Sequence, residues 1–169
     1  CDSMTAISTD STIHLYINPV LWNQGNQITS DVMDIFTENQ QITRAEFIGT
    51  PMMVSQLDTV HYNQVAGKTM TALFRNNQIY RNDVNGNAQT IYYMQDGEPP
   101  QITGMGVIES GDCSFYIEDK QVVTIVYRKD PDWNICPMDK IPADQELYLK
   151  GFKWEGARRP TQGVVFDRR

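Results

Sequence analysis

The chain repeats itself, and the repeat limits its possible folds more than any other feature. Residues 63–87, NQVAGKTMTALFRNNQIYRNDVNGN, align with residues 26–50, NQITSDVMDIFTENQQITRAEFIGT, at an offset of 37. The alignment matches Asn26 with Asn63, Gln27 with Gln64, Met33 with Met70, Asn39 with Asn76, Ile42 with Ile79, Arg44 with Arg81 and Gly49 with Gly86. At a further offset of 43, Cys113 takes the Met place, Asp119 the Asn place and Val122 the Ile place. The six extra residues of that interval fit the turn-forming insertion Gln95 to Pro100, QDGEPP. A partial copy opens the chain, with Met4 and Ile13 in the same two places, and the Met/Cys-to-Ile/Val spacing is nine in every copy. A period of this length implies stacked supersecondary units that bury their apolar faces against one another.

Within a unit the apolar period is two. Met70, Ala72 and Phe74 fall on one side and Thr69, Thr71 and Leu73 on the other; Cys113, Phe115 and Ile117 alternate with Asp112, Ser114 and Tyr116. Alternation over this length predicts half-buried strands. Asn76-Asn77 and Glu118-Asp119-Lys120 follow as turns, because Asn and Asp tolerate left-handed backbone. A second strand leads to Gly49 or Gly86, expected at a bulge or corner. A third, short strand such as Thr90-Ile91-Tyr92-Tyr93 closes the unit. Thr50-Pro51 interrupts that strand in the second unit, which makes it short or an edge. The expected fold is all-β, a stack of antiparallel strands with units near 2–25, 26–62, 63–103 and 104–130.

The repeat stops at Lys129-Asp130-Pro131-Asp132, and residues 131–169 form a capping tail. Pro142, early acids, Lys150 and Gly151 predict a short helix over 142–150. Gly151-Phe152-Lys153-Trp154 and Arg158-Arg159-Pro160 are expected to be extended, and Val164 to Arg169 loosely held.

The chemistry-bearing motifs fail in specific ways. Gly67-Lys68-Thr69 ends like a phosphate loop, but Tyr62 stands where the first Gly belongs and a strand follows instead of a helix. Asp83-Val84-Asn85-Gly86-Asn87 opens like a calcium loop, yet Met94 occupies the position of the bidentate Glu. His14 and His61 have no second ligand at metal spacing and are expected at the surface. Neither Glu109 with Asp112 nor Asp31 with Asp34 singles out a glycosidase pair. No catalytic residue, metal or cofactor is therefore assigned. A net charge of −7 excludes the basic stripe of a nucleic-acid binder. Cys1, Cys113 and Cys136 show no metal spacing, and Cys113, in a Met place, is expected to be a core residue. Cys1 could be a lipidated N-terminus, but it aligns with Ser30 and Gly67 inside a unit. The expectation is a fragment of a longer array whose parent carries the export signal.

What remains is one face: Met33, Ile35, Met70, Phe74, Phe115 and Ile117, with Ile42, Ile79 and Val122 across the turns. It is either a packed core or an apolar trough between sheets lined by adaptable Met and aromatic side chains.

The runs NPVLWNQGNQITSD, YNQVAGKTM, DVNGNAQTIYY and LKGFKW with RRP resemble the OstA-like family, relatives of the periplasmic lipopolysaccharide-transport and organic-solvent-tolerance proteins of Gram-negative outer membranes. The likeness spans nearly the whole chain. It implies a slightly twisted β-jelly-roll, a periplasmic role in lipopolysaccharide transport, and lipid A acyl chains held against the nine inward residues. The implied partners are lipopolysaccharide itself, other transport proteins at the exposed strand edges, and further copies end to end. The alternative is a structural or protein-interaction β-repeat with a packed core and no lipid.

Overall fold

Two features of each repeat unit set the architecture: a tight hairpin turn and a corner, both built on left-handed backbone. The computed structural model describes residues 3–7, 11–23, 25–119 and 121–160. Its strands are β1 (Ser3–Ile7), β2 (Thr12–Tyr16), β3 (Val20–Asn23), β4 (Asn26–Thr29), β5 (Val32–Glu38), β6 (Gln41–Ile48), β7 (Met52–Gln56), β8 (Tyr62–Ala66), β9 (Thr69–Arg75), β10 (Gln78–Asp96), β11 (Gln101–Glu118), β12 (Gln121–Arg128) and β13 (Asp132–Pro137).

The turns Asn39-Gln40 and Asn76-Asn77 have φ of 49° and 64°, and 52° and 59°. Two consecutive positive φ values give the two-residue hairpin turn whose twist matches the strands it joins. The corners repeat the device, with positive φ at Ile17-Asn18, Gly49-Thr50, Gly86-Asn87 and Lys129-Asp130. Gly49 has a second reason to be glycine, since a Cβ there would fall on the Asp31 side chain.

Hydrogen bonding follows the path β1-β2-β5-β6-β9-β10-β8-β7-β4-β3, with β11 paired to β10, β12 and β13. β10 and β11 are long enough to serve two places, and the register slips between Asn85 and Ala88 where β10 turns the corner. The sheet therefore folds into two leaves. The first holds β1, β2, β5, β6, β9, residues 78–85 of β10, residues 112–118 of β11, and β12. The second holds β3, β4, β7, β8, residues 88–96 of β10, residues 101–110 of β11, and β13. Units two and three each lay one hairpin into the first leaf, turn a corner and lay strands into the second.

The repeat becomes physical in the register. Met4, Leu15, Met33, Phe47, Met70, Val84, Cys113 and Tyr127 form one continuous cross-strand row. The next inward row runs Ile13, Ile35, Ala45, Ala72, Asn82, Phe115 and Ile125. Opposed residues share a face, so these rows form one inward wall, apolar except at Asn82.

Three expectations are corrected. Residues 142–150 form no helix; the tail has 3-10 turns at Met138–Lys140 and Gly156–Arg158 instead. The β-structure extends past residue 130, because β13 pairs with β11. β7 is short, as expected from Pro51, and of the two alternatives it is the short strand that holds, since β7 lies inside its leaf between β8 and β4. In addition, Thr90 to Tyr93 is not a separate strand but the second half of β10. The expectations for Cys1 and for residues 164–169 fall outside the described residues.

Candidate functional site

The nine inward residues come together between the leaves. Met33, Ile35, Met70, Phe74, Ile79, Phe115 and Ile117 are buried in one cluster, with Ile42 and Val122 half-buried against it. The opposing wall comes from the second leaf, whose inner row is Leu21, Ile28, Met53, Val65, Thr90 and Ile108. Sequence reasoning missed that wall, as it missed Phe47 and Val84 in the first leaf.

The space between the walls is not uniform. Toward the corners, Met33, Phe47, Met70 and Val84 are at most 1% exposed and fill the interior. Near β3, Asn23 clamps the two leaves: its Nδ2 donates to Asn77 O at 3.1 Å and its Oδ1 accepts from Ile79 N at 3.4 Å. Farther along, at the later repeats, the leaves part around a cavity of about 480 Å³. Phe115, Ile117 and Val122 line it from the first leaf, and Met53, Val65 and Thr90 from the second. Its rim is polar, with Asn26, Asn63, Gln95, Asp96 and Gln121. That size and lining, apolar inside with a few polar groups, is typical of a small-ligand cavity.

Burial pushes the Cys113 thiol and the Tyr127 phenol beside this space up to about 12, so both remain neutral near pH 7. The histidines lie elsewhere: His14 Nδ1 meets Asp34 Oδ1 at 2.6 Å on the outside of the first leaf, and His61 Nδ1 meets Asp58 Oδ2 at 2.7 Å in a turn. Asp83, at the head of the calcium-like stretch, receives Arg81 Nε at 2.8 Å and Ser114 Oγ at 2.5 Å. No group of three potential metal ligands occurs among the described residues.

The outer side of the second leaf is equally apolar, but the tail covers it. Met52, Val54 and Tyr62 pack under Leu149, Phe152 and Trp154; Ile91, Tyr93 and Met105 pack under Met138, Ile141 and Leu147. Two fully buried glutamines hold this strap. Gln64 donates to Leu147 O at 2.8 Å and accepts from Leu149 N at 2.8 Å. Gln27 donates to Lys153 O at 2.7 Å and accepts from Glu155 N at 2.6 Å. The two residues occupy the same place in successive repeats, and each pairs with a carbonyl and the amide two residues later. The tail thus lies along a leaf and not across the end of the stack.

Neither the protein-family models nor the curated protein sequences include a match to this chain. Among solved structures it is similar to LptH, the LptA-homologous periplasmic component of the lipopolysaccharide transport device from Pseudomonas aeruginosa. The TM-score is 0.58 at 12% sequence identity, covering 80% of this chain and 90% of LptH. The likeness is one of architecture: like LptH, the chain is built as a β-jelly-roll, two leaves of antiparallel strands.

Proposed function

We propose that this chain is a non-enzymatic, periplasmic lipid-holding module of lipopolysaccharide transport, with an acyl chain of lipid A lying between the leaves. The observation that carries this reading is the cavity beside Phe115, Ile117 and Val122, in a protein whose tail covers the other apolar face of the second leaf. The likeness in fold to LptH, a periplasmic component of a lipopolysaccharide transport device, supports the choice of ligand class and compartment.

The net charge of −7 disfavours a phosphorylated lipid, but surface charge is screened beyond a Debye length of ~8 Å. Each buried methylene contributes ~0.8 kcal/mol. A chain of about twelve carbons therefore brings on the order of 10 kcal/mol before ordering costs, and apolar burial dominates. In the same reading, the last strands are meeting points for other transport proteins or for a second copy. β12 exposes Val123, and β13 exposes Trp133 and Ile135. The packed interior near Met33 and Phe47 favours a second reading, in which the chain is a β-repeat serving protein partners alone.

Displacement of a fluorescent fatty acid by lipid A separates the two. The lipid reading expects saturable displacement, weakened at least ~10-fold by Ile117→Lys while the circular dichroism spectrum is retained, because a charge would then stand in the acyl path. A reporter that never binds the unaltered protein leaves the packed-repeat reading.

A further inference from the structure

The cavity has a polar spot in its apolar wall. Thr90 lies in the inner row of the second leaf between Val65 and Ile108. It is 1% exposed and lines the cavity. Its Oγ1 stands near Cys113 and the Tyr127 hydroxyl, close enough to offset part of the rise that burial imposes on the pKa of both. Yet neither Thr90 Oγ1 nor the Tyr127 hydroxyl closes a protein hydrogen bond of ordinary geometry.

One strand position away from the cavity wall, Asn82 is fully buried in the inward row of the first leaf beside Phe115. Its amide meets only sulfur, Met53 Sδ at 3.6 Å and Met70 Sδ at 3.9 Å, and its Oδ1 has no protein partner. Val could replace Thr90, and Leu Asn82, in a wall made only for hydrocarbon. Burying such groups unpaired is costly, so an occupant that satisfies them gains over one that does not.

From this arrangement we infer that the trough takes an acyl chain bearing a hydroxyl group, which pairs with Thr90 between the leaves, in preference to an unsubstituted chain. A hydroxyl both donates and accepts, as Thr90 Oγ1 and the Tyr127 hydroxyl do, so either orientation of the pair can close. The inference rests on the lipid-holding reading above and narrows it to a substituent.

The test uses saturated fatty acids of a single length, unsubstituted or hydroxylated at successive carbons, competed against a fluorescent fatty acid on the intact chain. One hydroxylated isomer is expected to bind about tenfold more tightly than the unsubstituted acid, the value of one hydrogen bond closed in a dry site. Thr90→Val, which preserves shape, should bring that isomer down to the level of the unsubstituted acid, and Thr90→Ser should retain the preference. Equal binding of all isomers, or a preference that survives Thr90→Val, overturns the inference and leaves lipid holding intact. No binding of any fatty acid overturns both.

Discussion

The second leaf presents two apolar faces made by the same strands, and the molecule treats them in opposite ways. On β7 and β8, Met53 and Val65 point between the leaves, while Met52, Val54, Tyr62 and Gln64 point out. The outward face is covered by the chain's own tail, aligned by Gln27 and Gln64 and filled by Leu149, Phe152 and Trp154. The inward face meets the first leaf closely at the early repeats and parts from it at the later ones. A chain that can supply a strap for one face has the means to fill the other. The space it leaves beside Ile117 and Val122 is what the proposed lipid-holding role rests on.

The largest effect should come from removing the strap. Truncation after Pro137 exposes Met52, Val54, Tyr62, Ile91, Tyr93 and Met105 together. With several large side chains returned to water at about 1.5–3 kcal/mol for each fully buried one, the loss should reach about 5 kcal/mol or more. Denaturant unfolding would show it, along with new binding of an apolar dye; an unchanged midpoint would mean that the strap is ornamental.

A subtler change leaves the tail in place. Gln64→Leu leaves Leu147 O and Leu149 N without their side-chain partner. Leaving buried backbone groups unsatisfied should cost about 2–3 kcal/mol and release amide protection over 147–149. Hydrogen exchange is the direct readout. Protection that persists at Leu149 would show that packing alone holds the strap.

The smallest effect lies in the turn that touches the strap. The His61 ring and the backbone amides of His61 and Val60 hold the Asp58 carboxyl down at about 2, and Tyr148 Oη donates to Val60 O at 2.9 Å. A depressed carboxylate stabilises the fold above its ordinary range, near pH 4, and that contribution fades as pH falls through about 2. Protection of the Val60 and His61 amides, relative to their intrinsic exchange at each pH, should therefore fall between pH 4 and 2 in the wild type, and Asp58→Asn should show low protection there at neutral pH. A flat profile in the wild type would remove Asp58 from the account.

The same contrast explains what could be read from the sequence. The first leaf has an apolar inner face and a largely polar outer one, so Met70, Ala72 and Phe74 alternate with Thr69, Thr71 and Leu73 and the period of two is plain. The offsets of 37 and 43 then place Met33, Met70 and Cys113 in one row, as the register shows. The second leaf is covered on both sides. Met52-Met53-Val54 is consequently apolar at successive positions, and alternation could not say which side faced inward. Thr90, a polar residue pointing inward, broke the pattern and went unnoticed.

The tail was misread for a different reason. Pro142, early acids, Lys150 and Gly151 satisfy local helix rules, but Leu147 O and Leu149 N are committed to Gln64. A helix would draw those groups into its own ladder, and tertiary bonding overrides the propensity. The match of Gln27 with Gln64 was visible as repetition; its purpose depended on where the tail lay. The corners were half legible. Gly49 and Gly86 marked two of them, whereas Ile17 and Lys129 hold the same positive φ without a glycine to announce it.

Native mass spectrometry across a lipid A titration tests the central claim most directly. The account predicts a one-to-one adduct on the wild-type chain, kept by Gln64→Leu on the covered face and lost by Ile117→Lys in the trough. A bare mass for the wild type at every lipid concentration would contradict it, and so would an adduct that Ile117→Lys leaves untouched.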